Sequence, residues 1–285
     1  MSWRLAHRTV ALDRPFLLGI VNVTPDSFSD GGRYLSTEAA VAHAERMLDE
    51  GADAVDVGGE STRPHNAGPV SVEEETARVL PVVRELRRRR PDALVSVDTV
   101  KAAVAGAALD AGAAIVNDVS GLRLDAAMAA TCAAAGAGVI LMHSRGTVAD
   151  MATYAHAAYG SDVVGEVAGE LGAARDAALA AGVAHGSIVL DPGLGFAKRS
   201  EHSVALLGAL DRLVALGHPV LVGASRKRFV GELTGRPVPA ERVHGTLGVH
   251  VAALARGARL FRVHDVRPHR EALDAAWAVL RGGSA

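Results

Sequence analysis

Three features of this chain predict an α/β fold, a single (β/α)8 TIM barrel over residues 1–285 with its active site at the C-terminal face of the strands. Eight short apolar runs alternate with longer Ala-rich amphipathic stretches from one end of the chain to the other. The 285 residues suit one barrel, which typically takes about 250. Polar residues gather at the C-terminal ends of the apolar runs, the ends that a barrel brings together on one face.

The runs are Leu17–Val23, Ala54–Gly58, Leu94–Asp98, Ile115–Val119, Val139–His143, Ile188–Asp191, Pro219–Gly223 and Leu260–His264. They are rich in Val, Ile and Leu, too short for helices and mostly without polar alternation, as expected of parallel strands covered on both faces. Between them, Thr37–Glu50, Val72–Arg90, Val100–Ala111, Asp162–Ala181 and Arg267–Leu280 read as helices. Gly51, Gly112 and Gly182 follow three of these as stop signals. A doubly wound open sheet is the alternative, but the first strand carries no GxGxxG fingerprint.

Composition narrows the function classes. Hydrophobic residues make up 49 % of the chain, enough for a sizeable core, and aromatics only 4 %. Net charge is −2, which argues against nucleic acid as a partner, since phosphate neutralisation needs a basic surface. The single cysteine, Cys132, lies in an Ala-rich stretch that reads as a buried helix, so no intramolecular disulfide forms. No apolar run reaches membrane-spanning length, and Met1 to Arg14 lacks the apolar segment of a signal peptide. A cytoplasmic protein is the expectation. Of 30 basic residues only Lys101, Lys198 and Lys227 are lysine, a hint that an ammonium is wanted at each.

The polar strand ends are Asn22; Glu60 with Ser61, Thr62 and Arg63; Asp98 with Thr99; Asn117 with Asp118; His143; Asp191; Ser225 with Arg226 and Lys227; and Arg262, His264 and Asp265. Polar groups at the ends of buried strands are costly to desolvate, so the set reads as one polar site. Taken alone, Asp98 would more often cap a helix, and Asn117 or Asp118 would make an Asx turn, the reading preferred for Asp118.

Eight segments together resemble the dihydropteroate synthase family, and they occur in its order from about Leu17 to about Val266. They are Asn22-Val-Thr-Pro-Asp-Ser-Phe-Ser-Asp-Gly-Gly32, Gly58-Gly-Glu-Ser-Thr-Arg-Pro64, Ser96-Val-Asp-Thr99, Asn117-Asp-Val-Ser-Gly121, Leu141-Met-His143, Asp191-Pro-Gly-Leu-Gly-Phe-Ala-Lys198, Ser225-Arg-Lys-Arg-Phe229 and Arg262-Val-His-Asp265. The resemblance implies condensation of 6-hydroxymethyl-7,8-dihydropterin pyrophosphate with 4-aminobenzoate to 7,8-dihydropteroate and pyrophosphate, a step of folate synthesis.

A pterin presents an amino group and ring N–H donors, which call for carboxylate and amide acceptors. The resemblance puts Asp98, Asn117, Met142, Asp191, Lys227 and Arg262 at the pterin, with the Arg262 plane suited to stacking on the ring. It implies Asn22, Thr62, Arg63, Arg262 and His264 at the pyrophosphate, where Asn22 helps hold a Mg2+ ion. Phe28, Pro64, Phe196, Ser225, Arg226 and Lys227 fall at the 4-aminobenzoate. Ser225 and Arg226 are expected to open the helix after the seventh strand, Lys101 to be a surface residue, and Lys198 to be structural or solvated.

The family is thought to react by a dissociative substitution. Pyrophosphate leaves first, aided by Mg2+, Arg262 and His264, while Asp98 and Asp30 stabilise the cation on the exocyclic methylene. The aromatic amine then attacks. No strong nucleophile is required, so Cys132 has no part. The loops after the first two strands are expected to close over the substrate. One departure stands out: His65 occupies a position where the family usually has Gly, and resists a positive φ. That bears on 4-aminobenzoate affinity and on sulfonamides, the inhibitors implied by the resemblance. A homodimer is also implied. The alternatives are a corrinoid-type pterin methyltransferase, which has no use for pyrophosphate-binding cations, and a pterin-binding paralogue without turnover.

Overall fold

The structure, a computed structural model, describes residues 1–24, 32–61 and 70–282. Eight parallel strands form the barrel: β3 (Phe16–Asn22), β4 (Ala54–Gly58), β5 (Leu94–Asp98), β6 (Ile115–Asp118), β7 (Gly138–Met142), β8 (Ile188–Asp191), β9 (Leu221–Val222) and β10 (Leu260–Val263). They pair in the order β8-β7-β6-β5-β4-β3-β10-β9. The ring closes through a parallel bridge between Leu190 and Val220, with the Leu190 N–H donating to Pro219 O at 3.0 Å. All eight runs read as strands are strands, but the seventh, expected over Pro219–Gly223, is reduced to two residues.

The helices that cover this sheet include α1 (Gly32–Asp49), α2 (Val72–Arg89), α3 (Ala102–Asp110), α4 (Met128–Ala135) and α5 (Val163–Ala180). After β8 come α6 (Ser200–Gly208) and α7 (Leu210–Val214), then α8 (Arg228–Thr234), α9 (Val243–Ala255) and α10 (Val266–Leu280). Local chemistry sets several boundaries. Ser71 caps α2 by accepting from the Glu74 N–H at 3.1 Å, and Asp162 caps α5 through the Gly165 N–H at 2.9 Å. Three glutamates in the first turn of α2 and three arginines in its last complement the helix dipole. Cys132 is buried in α4, as its surroundings implied, and burial pushes its thiol up to about 12.

Strand pleating divides the core in two. Val21, Val57, Val97, Val116, Leu141, Leu190, Val222 and Val263 face outward and pack under the helices. Leu18, Ala54, Leu94, Ile115, Ile140, Val189, Leu221 and Leu260 face inward and fill the N-terminal end of the barrel. That end is plugged by an antiparallel hairpin absent from the sequence reading, β1 (Ser2–Arg4) and β2 (Thr9–Ala11). Trp3, fully buried, donates its indole N–H to Ser187 O at 2.8 Å and meets the Phe16 ring edge-on at 5.9 Å. Gly138 lets the hairpin sit close, since a Cβ there would press on the Leu5 side chain and the Trp3 ring.

Candidate active site

One layer above the apolar floor, the inward positions turn polar. Ala54 and Gly58 share their parity on β4 with Asp56, and Leu94 and Ser96 share theirs with Asp98 on β5. On β6, β8 and β10 the same alternation brings in Asn117, Asp191 and Arg262. These side chains meet. Arg262 Nε lies 2.6 Å from Asp56 Oδ2, its Nη2 lies 2.6 Å from Asp98 Oδ2, and Asn117 Nδ2 donates to Asp56 Oδ2 at 2.9 Å. Met142, buried opposite Asp191 in the β7–β8 register, joins Val100, Val119 and Met151 in a small apolar wall that Phe196 partly covers.

Charge in this layer is strongly perturbed. Burial pushes the Asp98 carboxyl up to about 7; the Arg262 cation opposes this, and the neighbouring charge of Asp56 adds to it. Burial likewise raises Asp191, with Lys227 pulling the other way. Burial works against the Arg262 charge, but Asp56 and Asp98 outweigh it and hold its pKa above the usual value. Burial draws Lys227 down to about 8 despite the attraction of Asp191. Groups with such displaced pKa values, converging at the C-terminal mouth of a barrel, mark a functional site.

Lys227 stands just before α8 and its side chain reaches across to donate to Leu194 O, with its Nζ 4.5 Å from the centre of the Phe196 ring. The loop holding Phe196 is fixed from below. Gly193, at φ +64°, passes so close to the β7 end that a Cβ would lie 1.9 Å from His143 O. Lys198 folds back under it and contacts His143 Nδ1 at 2.7 Å, Phe196 O at 3.0 Å and His143 O at 3.3 Å. Three acceptors answer the three N–H bonds of an ammonium. Burial, then the Lys198 charge, pull His143 down to about 4. The neutral ring accepts from Lys198 and donates through Nε2 to Glu170 at 3.0 Å. Of the two readings left open for Lys198, the structural one holds.

In the same turn as Lys227, Ser225 Oγ lies 2.9 Å from His264 Nδ1 and accepts from the His264 N–H at 3.1 Å. Arg226, at φ +59°, spends its guanidinium on Asp265 at 3.0 Å and 2.6 Å. Both residues therefore sit in the turn before α8, which begins at Arg228; they do not open that helix as expected. Asn22 ends β3 on the same inward parity as Leu18 and Ile20, paired in register with Gly58. Its carboxamide oxygen is a hard donor of the kind Mg2+ takes. No cluster of three His, Cys, Asp or Glu suited to a metal occurs among the described residues, and Asn22 suits an ion that takes few protein ligands and fills its shell with substrate and water. Phe28, Asp30, Thr62, Arg63, Pro64 and His65 lie outside the described residues.

Two of the polar strand ends do not join the site. Asp118 and His143 have outward parity: Asp118 accepts from the Ser120 N–H at 2.7 Å in the anticipated Asx turn, and His143 faces α5. Lys101 is likewise not a plain surface residue. Its ammonium bridges Glu60 at 2.7 Å and the fully buried Glu75 at 2.6 Å, tying the end of β4 to α2. All three lysines thus sit in polar networks, as their rarity hinted. Asp56 was missed by the sequence reading. Its signal was a lone carboxylate between Val55 and Val57, on the inward parity of an otherwise apolar strand. No helix among the described residues is long and apolar enough to cross a membrane.

Known proteins share both the sequence and this arrangement. A family model for pterin binding enzymes matches residues 18–264. The dihydropteroate synthase of Mycobacterium leprae is 50 % identical over 273 residues, covering 94 % of each chain. A solved Xanthomonas albilineans dihydropteroate synthase with 4-aminobenzoic acid superposes with a TM-score of 0.90 at 47 % identity, covering 98 % of both chains. Another from that organism, in complex with 7,8-dihydropteroate, gives 0.86 at 45 % identity, covering 97 % of this chain and 98 % of the other. With inward carboxylates, amide, ammonium and guanidinium at the barrel mouth, and this likeness over nearly its whole length, the chain belongs to the dihydropteroate synthase family of pterin-binding enzymes.

Proposed function

We propose that the chain joins the exocyclic methylene carbon of 6-hydroxymethyl-7,8-dihydropterin pyrophosphate to the amino nitrogen of 4-aminobenzoate, giving 7,8-dihydropteroate and pyrophosphate. The observation that carries this reading is the inward polar layer, in which acceptors on β5, β6 and β8 face a mouth bordered by Lys227 and Arg262. Asp98, Asn117 and Asp191 accept the pterin's N–H groups, and Lys227 donates to its ring acceptors. Met142 supplies apolar contact.

The carbon–oxygen bond to pyrophosphate breaks first, and the electron pair leaves with the pyrophosphate. Arg262 and His264 stabilise that departing charge, Asp98 stabilises the pterin cation, and no protein nucleophile intervenes. Asn22 would hold Mg2+, which when bound supplies further positive charge at the phosphates. The neutral amine of 4-aminobenzoate, lying against Phe196 with Ser225, Arg226 and Lys227 near its carboxylate, then attacks the methylene carbon and loses a proton to solvent. Thr62, Arg63, Phe28, Pro64 and Asp30 take the roles given by the family pattern.

The remaining parts of the reading follow the same resemblance. Sulfonamides would compete with 4-aminobenzoate for the Phe196 wall, raising its apparent KM without lowering the maximal rate. The chain would work as a cytoplasmic homodimer, sedimenting at twice its 29.3 kDa mass. The pterin assignment is tested by Asp191→Asn. Loss of charge-assisted hydrogen bonds, worth about 1.5–3 kcal/mol each, should raise the pterin KM by roughly 10- to 100-fold while the KM for 4-aminobenzoate stays within about twofold. An unchanged pterin KM would remove Asp191 from the pterin site.

A further inference from the structure

Asp56 stands mid-strand in β4, wholly buried, and one of its oxygens serves two donors at once. Arg262 Nε approaches Oδ2 at 2.6 Å and Asn117 Nδ2 at 2.9 Å, while Oδ1 is buried without a partner among the described residues. A carboxylate has no proton to give, so Asn117 must turn its NH2 toward Asp56. One amide N–H is thereby spent, and the carbonyl oxygen and second N–H are left pointing one fixed way. Arg262 is held at two points: Nε by Asp56 and Nη2 by Asp98, the latter at 2.6 Å. Two carboxylates on two edges of a planar guanidinium fix its plane, which one alone would leave free to rotate.

We propose that Asp56 is a positioning residue of pterin recognition, setting which edge of the Asn117 amide and which face of the Arg262 guanidinium meet the substrate. This rests on the pterin reading above. Asp56 bonds to Asn117 and Arg262, which touch the substrate, and acts through them, so its loss is felt by the pterin and not by 4-aminobenzoate. A buried polar network of this kind specifies a geometry only while every member is present. Asp56→Asn keeps the volume but offers N–H as readily as oxygen, so the Asn117 amide loses its reason to hold one orientation.

The test is a double-mutant cycle, titrating 6-hydroxymethyl-7,8-dihydropterin pyrophosphate calorimetrically into the parent chain, Asp56→Asn, Asn117→Ala and the double variant, each checked for folding by circular dichroism. The expected result is a loss of affinity of roughly tenfold or more in Asp56→Asn. That loss should shrink by at least about threefold in the Asn117→Ala background, where the amide is no longer there to orient. A side chain that only holds the barrel together would cost the same factor in both backgrounds. Equal losses, or parent-like binding by Asp56→Asn, would overturn the proposal alone; absence of binding by the parent chain would defeat the pterin reading and this proposal with it. Should Asp56→Asn fail to fold, Asp56→Ser carries the same cycle.

Discussion

An ammonium buried at the mouth of a barrel titrates where an ordinary lysine does not. With Lys227 drawn down to about 8, its charge is present below that pH and lost above it. Asp98, pushed up to about 7, gains its charge as pH rises through that value, and its titration is shared with the carboxylates and guanidinium around it. The expected pH profile of kcat/KM for the pterin is therefore a bell with its maximum between about 7 and 8, reporting the free enzyme. Lys227→Arg should lower the profile and abolish its alkaline limb, because a guanidinium stays charged throughout. An alkaline limb retained in that variant would show that another group sets it. At this scale the sequence displayed which residue types gather at strand ends but not which way each points. Parity decided that, one residue at a time: Asn117 enters the barrel and its neighbour Asp118 leaves it, and Met142 enters while His143 leaves. Asp56 was passed over because it is not at a strand end, although the same alternation places it inside.

At the level of elements, the barrel strands were legible because buried parallel strands are short, apolar and β-branched, and all eight appear. The seventh shrank to Leu221–Val222 from both ends: Pro219 has no N–H to donate and Val220 forms only an isolated bridge to Leu190, while Gly223 leads into the turn that carries Ser225 and Arg226. The hairpin of β1 and β2 was not legible. Three-residue strands leave no periodicity to detect, and their apolar residues are interspersed with Arg4, His7 and Arg8. Its contribution is nonetheless large. Trp3 is fully buried against the barrel floor with its N–H satisfied, so Trp3→Ala leaves a cavity and an unpaired Ser187 carbonyl. A loss of about 3–5 kcal/mol is expected, read as a lower midpoint in a urea titration with little change in slope. The hairpin sits at the end of the barrel opposite the site, so kcat of the folded fraction should be unaltered. A small stability change would mean that the plug is dispensable, and a large kcat change would mean that the two ends of the barrel are coupled.

For the molecule as a whole, the fold separates its tasks by depth. Apolar side chains and the hairpin fill the N-terminal end of the barrel, Asp56, Asn117, Asp191 and Arg262 occupy the next layer, and the turns carrying Lys227, Ser225 and His264 form the rim. Stability below and chemistry above is the division expected of this architecture. Lys101 and Lys198 serve the rim indirectly, one tying the β4 end to α2 and the other pinning the Phe196 loop to β7. Whether this arrangement performs the synthase reaction is decided by turnover of the purified chain with Mg2+, 6-hydroxymethyl-7,8-dihydropterin pyrophosphate and 4-aminobenzoate, following both products together. The expected result is release of 7,8-dihydropteroate and pyrophosphate one for one, dependent on 4-aminobenzoate and lost in Lys227→Ala. Tight binding of the pterin with neither product formed at any 4-aminobenzoate concentration would contradict it.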